Sequence, residues 1–200
     1  DPAPTARSRR IRIARFAPKL VDAILEPCDE RRLLGPAIEV HTLARIVRWG
    51  AAYTYLRATF DTPLVLSSPN HPDARGGEIP VAAGRSIPGI PRHILKGDLS
   101  VTAGRTTAGT SLTWTSAQFL RGDEANLLAP IPGATTVNLA GSYAFGRRAR
   151  LTARVTNLFG VESATFGLLG DADDVLGEEF DDPRFVSPGA PRAAWMGIEL

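Results

Sequence analysis

Cysteine, methionine and long apolar runs are scarce in this 200-residue chain. Cys28 is the only cysteine, so no intramolecular disulfide can form, and no CxxC motif or Cys/His zinc cluster exists. No run reaches about eighteen apolar residues, which excludes a membrane-spanning helix. That test does not detect β-barrels, whose apolar residues occupy every second position. With 44% hydrophobic and 22% charged residues, the composition is that of a folded protein.

The chain also lacks an initiating methionine and an apolar leader, since it begins Asp1-Pro2-Ala3-Pro4. Either a leader is removed or the chain is an internal piece. The formal charge of +2 hides a basic front, because residues 1–48 hold ten Lys/Arg against six Asp/Glu. These arginines have no interleaved aromatics and no nucleic-acid reading module. A solvated basic segment is therefore favoured over nucleic-acid binding, and no nucleic-acid partner is expected.

Signatures of catalysis and of metal binding are missing as well. His41, His71 and His93 are scattered, and no G-x-S-x-G elbow orders a nucleophile. One acidic stretch offers the oxygen ligands that suit calcium, but it lacks the spacing of an EF-hand loop, so a solvated loop is favoured. Its members are Asp171, Asp173, Asp174, Glu178, Glu179, Asp181 and Asp182. We expect no enzyme activity, no catalytic, cofactor-binding or metal-binding residue and no cofactor.

Strict alternation of polar and apolar residues is what the chain does have. From Arg148 to Thr156 the even positions are Arg or Thr, and the odd positions are Ala, Leu or Val. A strand with one polar and one apolar face can separate lipid from a watery lumen. The alternation predicts two sets of positions. Those facing lipid are Leu95, Leu99, Val101, Leu151 and Val155, and those facing the lumen are Lys96, Ser100, Thr102, Arg150 and Arg154.

Seven strands are predicted, and the connections between them alternate between short and long. The strands are 37–43, 49–60, 92–103, 110–120, 134–145, 148–158 and 191–200. Outer-membrane barrels alternate short periplasmic turns with long extracellular loops. Turns at Gly104–Gly109 and Gly146–Arg148 and loops at 61–91, 121–133 and 159–190 fit that rule. The prolines and glycines of 121–133 predict that this loop has no regular pairing.

A soluble antiparallel sandwich is the rival fold, because its strands also alternate with period two. Three long loops on one side favour the membrane barrel. Aromatic residues near the predicted strand ends fit interfacial girdles, and they would also fit a sandwich core. They are Trp49, Phe60, Trp114, Phe119, Tyr143, Phe145 and Trp195.

Five separate phrases of the sequence resemble the TonB-dependent outer-membrane receptors. They are WGAAYTY at 49–55, IPGIPRH at 87–93, VTNLFG at 155–160, ATFG at 164–167 and PGAPR at 188–192. Together they extend over about residues 35–200. In physical terms, Asn157 can cap a strand end with its side-chain amide, and Pro191 can start a strand where no ladder N–H is needed.

The resemblance implies an all-β fold, an antiparallel transmembrane β-barrel segment with long extracellular loops, in the outer membrane of a Gram-negative bacterium. Family members enclose a plug domain in twenty-two strands, whereas this chain has neither plug nor TonB box. We therefore expect 35–200 to be the C-terminal strands of an incomplete barrel. Residues 1–34 are an unassigned basic segment that matches the family poorly, and we expect them to pair poorly with the sheet.

The function expected from the resemblance is import of a scarce small molecule such as a ferric siderophore. Expected partners are the lipid bilayer, the rest of the barrel and the plug, the imported ligand, and the TonB complex through the missing N-terminal region. The resemblance assigns no ligand-binding residue, and charge alone favours Arg75, Arg85 and Arg184 for an anionic complex. A passive porin or structural barrel, a truncated remnant and a soluble all-β binding module remain alternatives.

Overall fold

The computed structural model describes residues 9–15, 31–34, 36–43, 46–146, 148–171, 173, 177 and 182–200, with backbone pairing alone before Ile46. Fourteen strands lie within these residues. They are β1 (Arg9–Arg15), β2 (Arg31–Leu34), β3 (Pro36–Leu43), β4 (Val47–Tyr55), β5 (Arg57–Phe60), β6 (Leu64–Ser67), β7 (Glu78–Val81), β8 (His93–Ala103), β9 (Thr106–Thr115), β10 (Ala134–Phe145), β11 (Ala149–Thr156), β12 (Ala164–Leu169), β13 (Arg184–Pro188) and β14 (Ala193–Glu199). Nowhere in this part of the chain is a helix long and apolar enough to cross a membrane.

Eight strands form one antiparallel sheet, the wall, in the order β1-β3-β4-β8-β9-β10-β11-β14. Each strand therefore lies beside its predecessor in the wall, as in an up-and-down barrel. All seven predicted strands are present. The strand expected at 49–60 divides after Tyr55, and the one expected at 110–120 ends at Thr115. In the described sheet, β1 and β14 are the two outer strands, so the barrel is not closed.

The eighth strand corrects the expectation for the front of the chain. β1 pairs with β3 over seven consecutive residues, from Arg9 opposite Thr42 to Arg15 opposite Pro36. The physical reason is visible in its sequence, because Ile11 and Ile13 alternate with arginines in the period that a strand requires. In addition, β2 pairs with β5, so a second part of 1–34 is also paired. The prediction that residues 1–34 pair poorly with the sheet was therefore wrong for β1, whereas β2 pairs with β5 outside the wall.

The register of the wall separates an apolar face from a polar one. Leu99 lies opposite Trp49 and Thr110, and Thr110 lies opposite Leu139, which pairs with Val155. Followed in this way, all five positions predicted to face lipid share one face, and all five predicted to face the lumen share the other. The apolar face is uncovered, since Leu99 is 44% exposed and Ile198 is 69% exposed. A soluble sandwich would bury this face against a second sheet, so that rival fold is excluded.

The connections confirm the predicted alternation of lengths. Short turns join β3 to β4, β8 to β9 and β10 to β11 at one end of the wall. Long connections lie at the opposite end, where they form a folded layer rather than loose loops. This loop layer contains the pairs β6-β7 and β12-β13, which lie inside the predicted loops 61–91 and 159–190. Residues 121–133 contain no strand, as expected. They pair with neighbouring segments only at isolated β-bridges, such as the one between Ile131 and Gln118.

The buried apolar residues of the described chain lie in the loop layer, not in the wall. One cluster consists of Phe60, Ile79, Val81 and Ala125, with Leu64, Leu66 and Ile87 packed against it. The other consists of Leu120, Ile131 and Leu169, with Leu128 and Ala164 packed against it. Each cluster joins segments from two of the long connections. The layer therefore has a hydrophobic core of its own, which holds the connections in fixed positions above the wall.

Candidate functional site

Aromatic side chains mark both ends of the apolar face. At the loop-layer end, the Tyr53 hydroxyl lies 2.8 Å from His93 Nδ1, and the His93 ring lies 5.2 Å from Tyr55 and 6.3 Å from Trp114, between centroids. At the short-turn end, Tyr143 and Phe145 form an edge-to-face pair with centroids 4.8 Å apart. Amphipathic aromatic rings concentrate at the two interfaces of a bilayer, so these two groups are candidate girdles.

The spacing of the two groups fits a membrane. Trp114 belongs to the first group, and Thr106, eight residues away on β9, lies opposite Tyr143 of the second. At about 3.4 Å per residue the separation is about 27 Å along the strand, and a tilt of about 40° reduces it to about 21 Å. Outer-membrane barrels have an apolar band about 25 Å tall.

Four of the seven aromatic residues expected in girdles lie elsewhere. Trp49 is opposite Leu99, midway along the apolar face, and Phe119 lies in the loop layer beyond the end of β9. Phe60 is 6% exposed and belongs to a cluster of the loop layer, because the strand expected at 49–60 leaves the wall after Tyr55. Trp195 pairs with Arg154 and therefore lies on the polar face. Together with small residues of β9, β10 and β11, Trp195 lines an open trough of about 510 Å³.

A buried histidine–aspartate pair fastens two of the long connections to each other. His71 Nε2 lies 3.2 Å from Asp123 Oδ1, and both side chains are fully buried. The backbone N–H of Asp73 donates to His71 Nδ1 at 3.0 Å, so the proton of a neutral imidazole is on Nε2 and points at the carboxylate. Asp123 also accepts from the backbone N–H groups of Leu127 and Leu128, at 2.8 and 3.0 Å. Its carboxylate is thus fully satisfied and fixed.

A chain of hydrogen bonds leads from this pair to an arginine. Asn126 has a left-handed backbone with φ of 53°, and its side chain forms two hydrogen bonds with the backbone of Ser86. The Ser86 hydroxyl accepts from Arg92 Nη2 at 3.2 Å. Asn126 Nδ2 also donates to the backbone carbonyl of Asp123 at 3.2 Å. One hydrogen-bonded relay therefore joins His71, Asp123, Asn126, Ser86 and Arg92.

Ser86 and Arg92, at the end of this relay, line an open hollow of about 420 Å³ where the loop layer meets β4, β8 and β9. It is lined by Leu56, Ala58, Ser86, Ile90, Arg92, His93, Ser116, Ala117, Gln118, Phe119 and Pro130. The hollow combines apolar side chains with a few polar groups, which is the usual composition of small-molecule sites. No sequence pattern indicated it, because its residues come from three segments that meet only in the fold.

Asn157 holds the end of β11 as the sequence predicted. It is 3% exposed, and its amide binds Val161 in both directions while donating to the Ala190 carbonyl at 3.0 Å. Its own backbone N–H donates to Asn138 Oδ1 at 3.0 Å. These bonds join the last long connection to the wall at both of its ends.

The arginines favoured by charge do not form one site. Arg75 and Arg85 precede and follow β7, whereas Arg184 begins β13 in another two-stranded sheet. Arg184 is already paired, with Nη2 at 2.7 Å from Asp182 Oδ2. The hydrogen bond from Arg184 lowers the pKa of Asp182, and the same bond raises the pKa of Arg184. Ion pairing at this exposed position is complete above the usual pKa of aspartate and is lost as the pH falls through the lowered value.

The histidines and the acidic stretch form no metal centre in the described structure. His71 and His93 belong to the separate networks above, and His41 lies on β3. No group of three or more His, Cys, Asp or Glu side chains within the described ranges could hold an ion. Four residues of the acidic stretch lie outside those ranges: Asp174, Glu178, Glu179 and Asp181. Cys28 also lies outside them.

Comparison with known proteins agrees with this architecture. Residues 37–158 match the family model described as TonB dependent receptor-like, beta-barrel. The siderophore receptor PiuA from Acinetobacter baumannii is similar with a TM-score of 0.64 at 13% identity, over 84% of this chain and 21% of that one. The ferric-catecholate import receptor Fiu from E. coli K12 gives 0.60 at 15%, over 84% and 20%. The ferric yersiniabactin uptake receptor FyuA from Yersinia pestis gives 0.57 at 14%, over 84% and 23%.

At these identities the likeness to the solved structures concerns the fold alone. The chain spans about a fifth of the length of each of these receptors. No curated protein sequence matches it. The family match covers more than half of the chain and coincides with β3 to β11 of the wall. The chain therefore belongs to the TonB-dependent receptor β-barrel family, a family of outer-membrane transporters of Gram-negative bacteria rather than enzymes.

Proposed function

We propose that the chain forms part of the wall and outer vestibule of an importer that captures a scarce small molecule, such as a ferric siderophore, in the Gram-negative outer membrane. The observation that supports this most directly is the loop layer, which lies entirely at one end of a wall with an uncovered apolar face. Binding residues of proteins concentrate on loops that a rigid scaffold positions. This layer has two hydrophobic clusters and a buried His71–Asp123 pair, so it is a preorganised surface.

The wall accounts for the expected partners other than the ligand. Its apolar face contacts lipid, with the two aromatic groups at the interfaces. Its outer strands β1 and β14 present unpaired backbone groups, which in lipid require further strands of the same barrel. The polar face then borders a lumen wide enough for a plug, and a TonB-contacting region would belong to that part. In this proposal residues 35–200 are the C-terminal strands of the barrel.

The proposal is tested by energy-dependent uptake. Cells that lack their own receptors would produce the protein at its natural length and would be offered radiolabelled ferric catecholate, hydroxamate and carboxylate complexes under iron limitation. We expect uptake of one class, and we expect it to stop when tonB is deleted or the proton gradient is collapsed. A matched variant with Asp123→Ala should bind and import less, because it loosens the loop layer.

Two results would contradict the proposal and favour the alternatives. Uptake that persists without TonB and is accompanied by steady conductance in planar bilayers would indicate a passive pore. A protein that never reaches the outer membrane, as judged by fractionation, would indicate a non-functional remnant.

A further inference from the structure

The hollow lined by Arg92 has a net positive charge, which points to an anionic occupant. Among the described residues that line it, Arg92 is the one full charge, and none is acidic. A guanidinium has five N–H donors, and the only side-chain hydrogen bond that Arg92 makes within the described structure is the one to Ser86. The remaining donors form a planar fork that matches a carboxylate. The hollow is therefore suited to an anionic group.

The rest of the lining adds an apolar surface and a few neutral polar groups. Its apolar surface is formed by Leu56, Ile90, Phe119 and Pro130. An aromatic ring of a ligand packs well against side chains of this kind. Gln118 donates through Nε2 to the Thr165 carbonyl at 3.0 Å, which fixes its amide and leaves its oxygen as a possible acceptor. A ligand that satisfies the site needs both a carboxylate and a ring.

The size of the hollow limits how much of a ligand can enter. Its volume of about 420 Å³ lies near the lower end of the range of small-molecule pockets, about 300–1,000 Å³. A single ring with its carboxylate fits such a space, whereas a complete multi-armed chelate is larger. The site would therefore hold one arm of a larger cargo, or a small free acid.

We infer that the hollow is a binding site for the ring-bearing carboxylate of a small molecule, held by Arg92 and packed against Phe119. The inference rests on the proposed function, since it names the chemical class of ligand for the same loop layer. Arg92 is prepared for this role by Ser86, which Asn126 holds through two hydrogen bonds. A preoriented guanidinium loses less conformational freedom on binding, so affinity should depend on Asn126 as well as on Arg92.

The test measures binding directly and needs no transport. The protein of natural length, purified in detergent, would be titrated with three probes by ligand-observed NMR. Benzoate has ring and charge, benzamide has the ring alone, and inorganic phosphate has charge alone. We expect benzoate to bind at least tenfold more tightly than either of the others. Arg92→Gln should weaken benzoate at least tenfold, and Asn126→Ala should weaken it several-fold.

Arg105→Gln is the matched control, because Arg105 is exposed in the short turn at the other end of the wall and should leave binding unchanged. Circular dichroism would verify that each variant keeps its β-structure. Equal binding of benzamide, an equal affinity of Arg92→Gln, or no benzoate binding at all would overturn the inference. Phosphate binding as tight as benzoate would also overturn it, and would point to a lipid phosphate as the occupant. None of these outcomes depends on uptake, so failure here leaves the proposed importer untouched.

Discussion

Leu99 is the position at which the assignment of the two faces can be tested most sharply. It lies on β8, four residues from Leu95, which is opposite Trp114, and four from Ala103 near the other aromatic group. Leu99 is therefore at the middle of the apolar band, and its side chain is 44% exposed. Its neighbour Ser100 points to the polar face at almost the same depth.

The two positions differ in what an arginine would meet there. On the lipid face at the midplane an arginine costs about 2–4 kcal/mol of folding stability. On the polar face Ser100→Arg would lie opposite Arg48, and a like-charge pair across strands costs up to about 1 kcal/mol. We therefore expect Leu99→Arg to be less stable than Ser100→Arg by about 1–3 kcal/mol. Such a difference changes the folding equilibrium by about fivefold or more.

The assay is reversible urea unfolding of the natural-length protein in liposomes. Leu99→Gln serves as the control, because it removes the leucine without adding a charge and separates the loss of apolar contact from the cost of the cation. Equal destabilisation by Leu99→Arg and Ser100→Arg would refute the face assignment. A larger cost at Ser100 would reverse it.

Three further results are expected. Asp123→Ala should open the loop layer to protease at 61–91, because it leaves the buried His71 N–H without an acceptor, at about 1–3 kcal/mol, and also removes the acceptor of two partly buried backbone N–H groups; unchanged cleavage would contradict this role. A cysteine at exposed Ala83, introduced after replacement of Cys28, should react with a membrane-impermeant reagent on intact cells, whereas one at Arg105 should not; the opposite pattern would invert the topology. The 200-residue chain alone should show no heat-dependent shift on a gel after refolding in detergent, because its outer strands stay unpaired; a heat-shifted band would show closure.

The wall could be predicted from sequence because one rule governs it. A strand between lipid and a lumen must alternate with period two, and a register shift of one residue would reverse every side chain, so the pattern is enforced along its whole length. Residues 92–103 and 148–156 show this clearly. The same rule also applies to 9–15, but the wholly arginine polar positions concealed it. The arginines of this segment predicted a solvated segment, whereas its backbone in fact pairs with β3.

The loop layer could not be predicted, because nothing in it has a period. Its strands are four to six residues long, and they are separated by prolines and glycines that read as loop. Its main contacts are also distant in sequence: His71 and Asp123 are 52 residues apart, and Ser86 and Asn126 are 40 apart. Residues of one hydrogen-bonded relay therefore come from separate connections. Roles could be assigned in advance only at the two ends of the last connection, to Asn157, which acts locally on Val161, and to Pro191, two residues before β14 begins at Ala193.

The polar face of the wall can be compared with the interior of the smallest bacterial barrels, which also have eight strands. The interior of an eight-stranded barrel is filled by its inward side chains. Here the inward row at the centre is small in its middle, with Ser100 beside Gly109 and Gly109 beside Ala140, and large at its two ends, with Arg48 on one side and Arg154 and Trp195 on the other. The small middle of this row leaves an open trough of about 510 Å³ on the polar face. Such a face is stable beside water or another domain, which is the situation of a wide barrel.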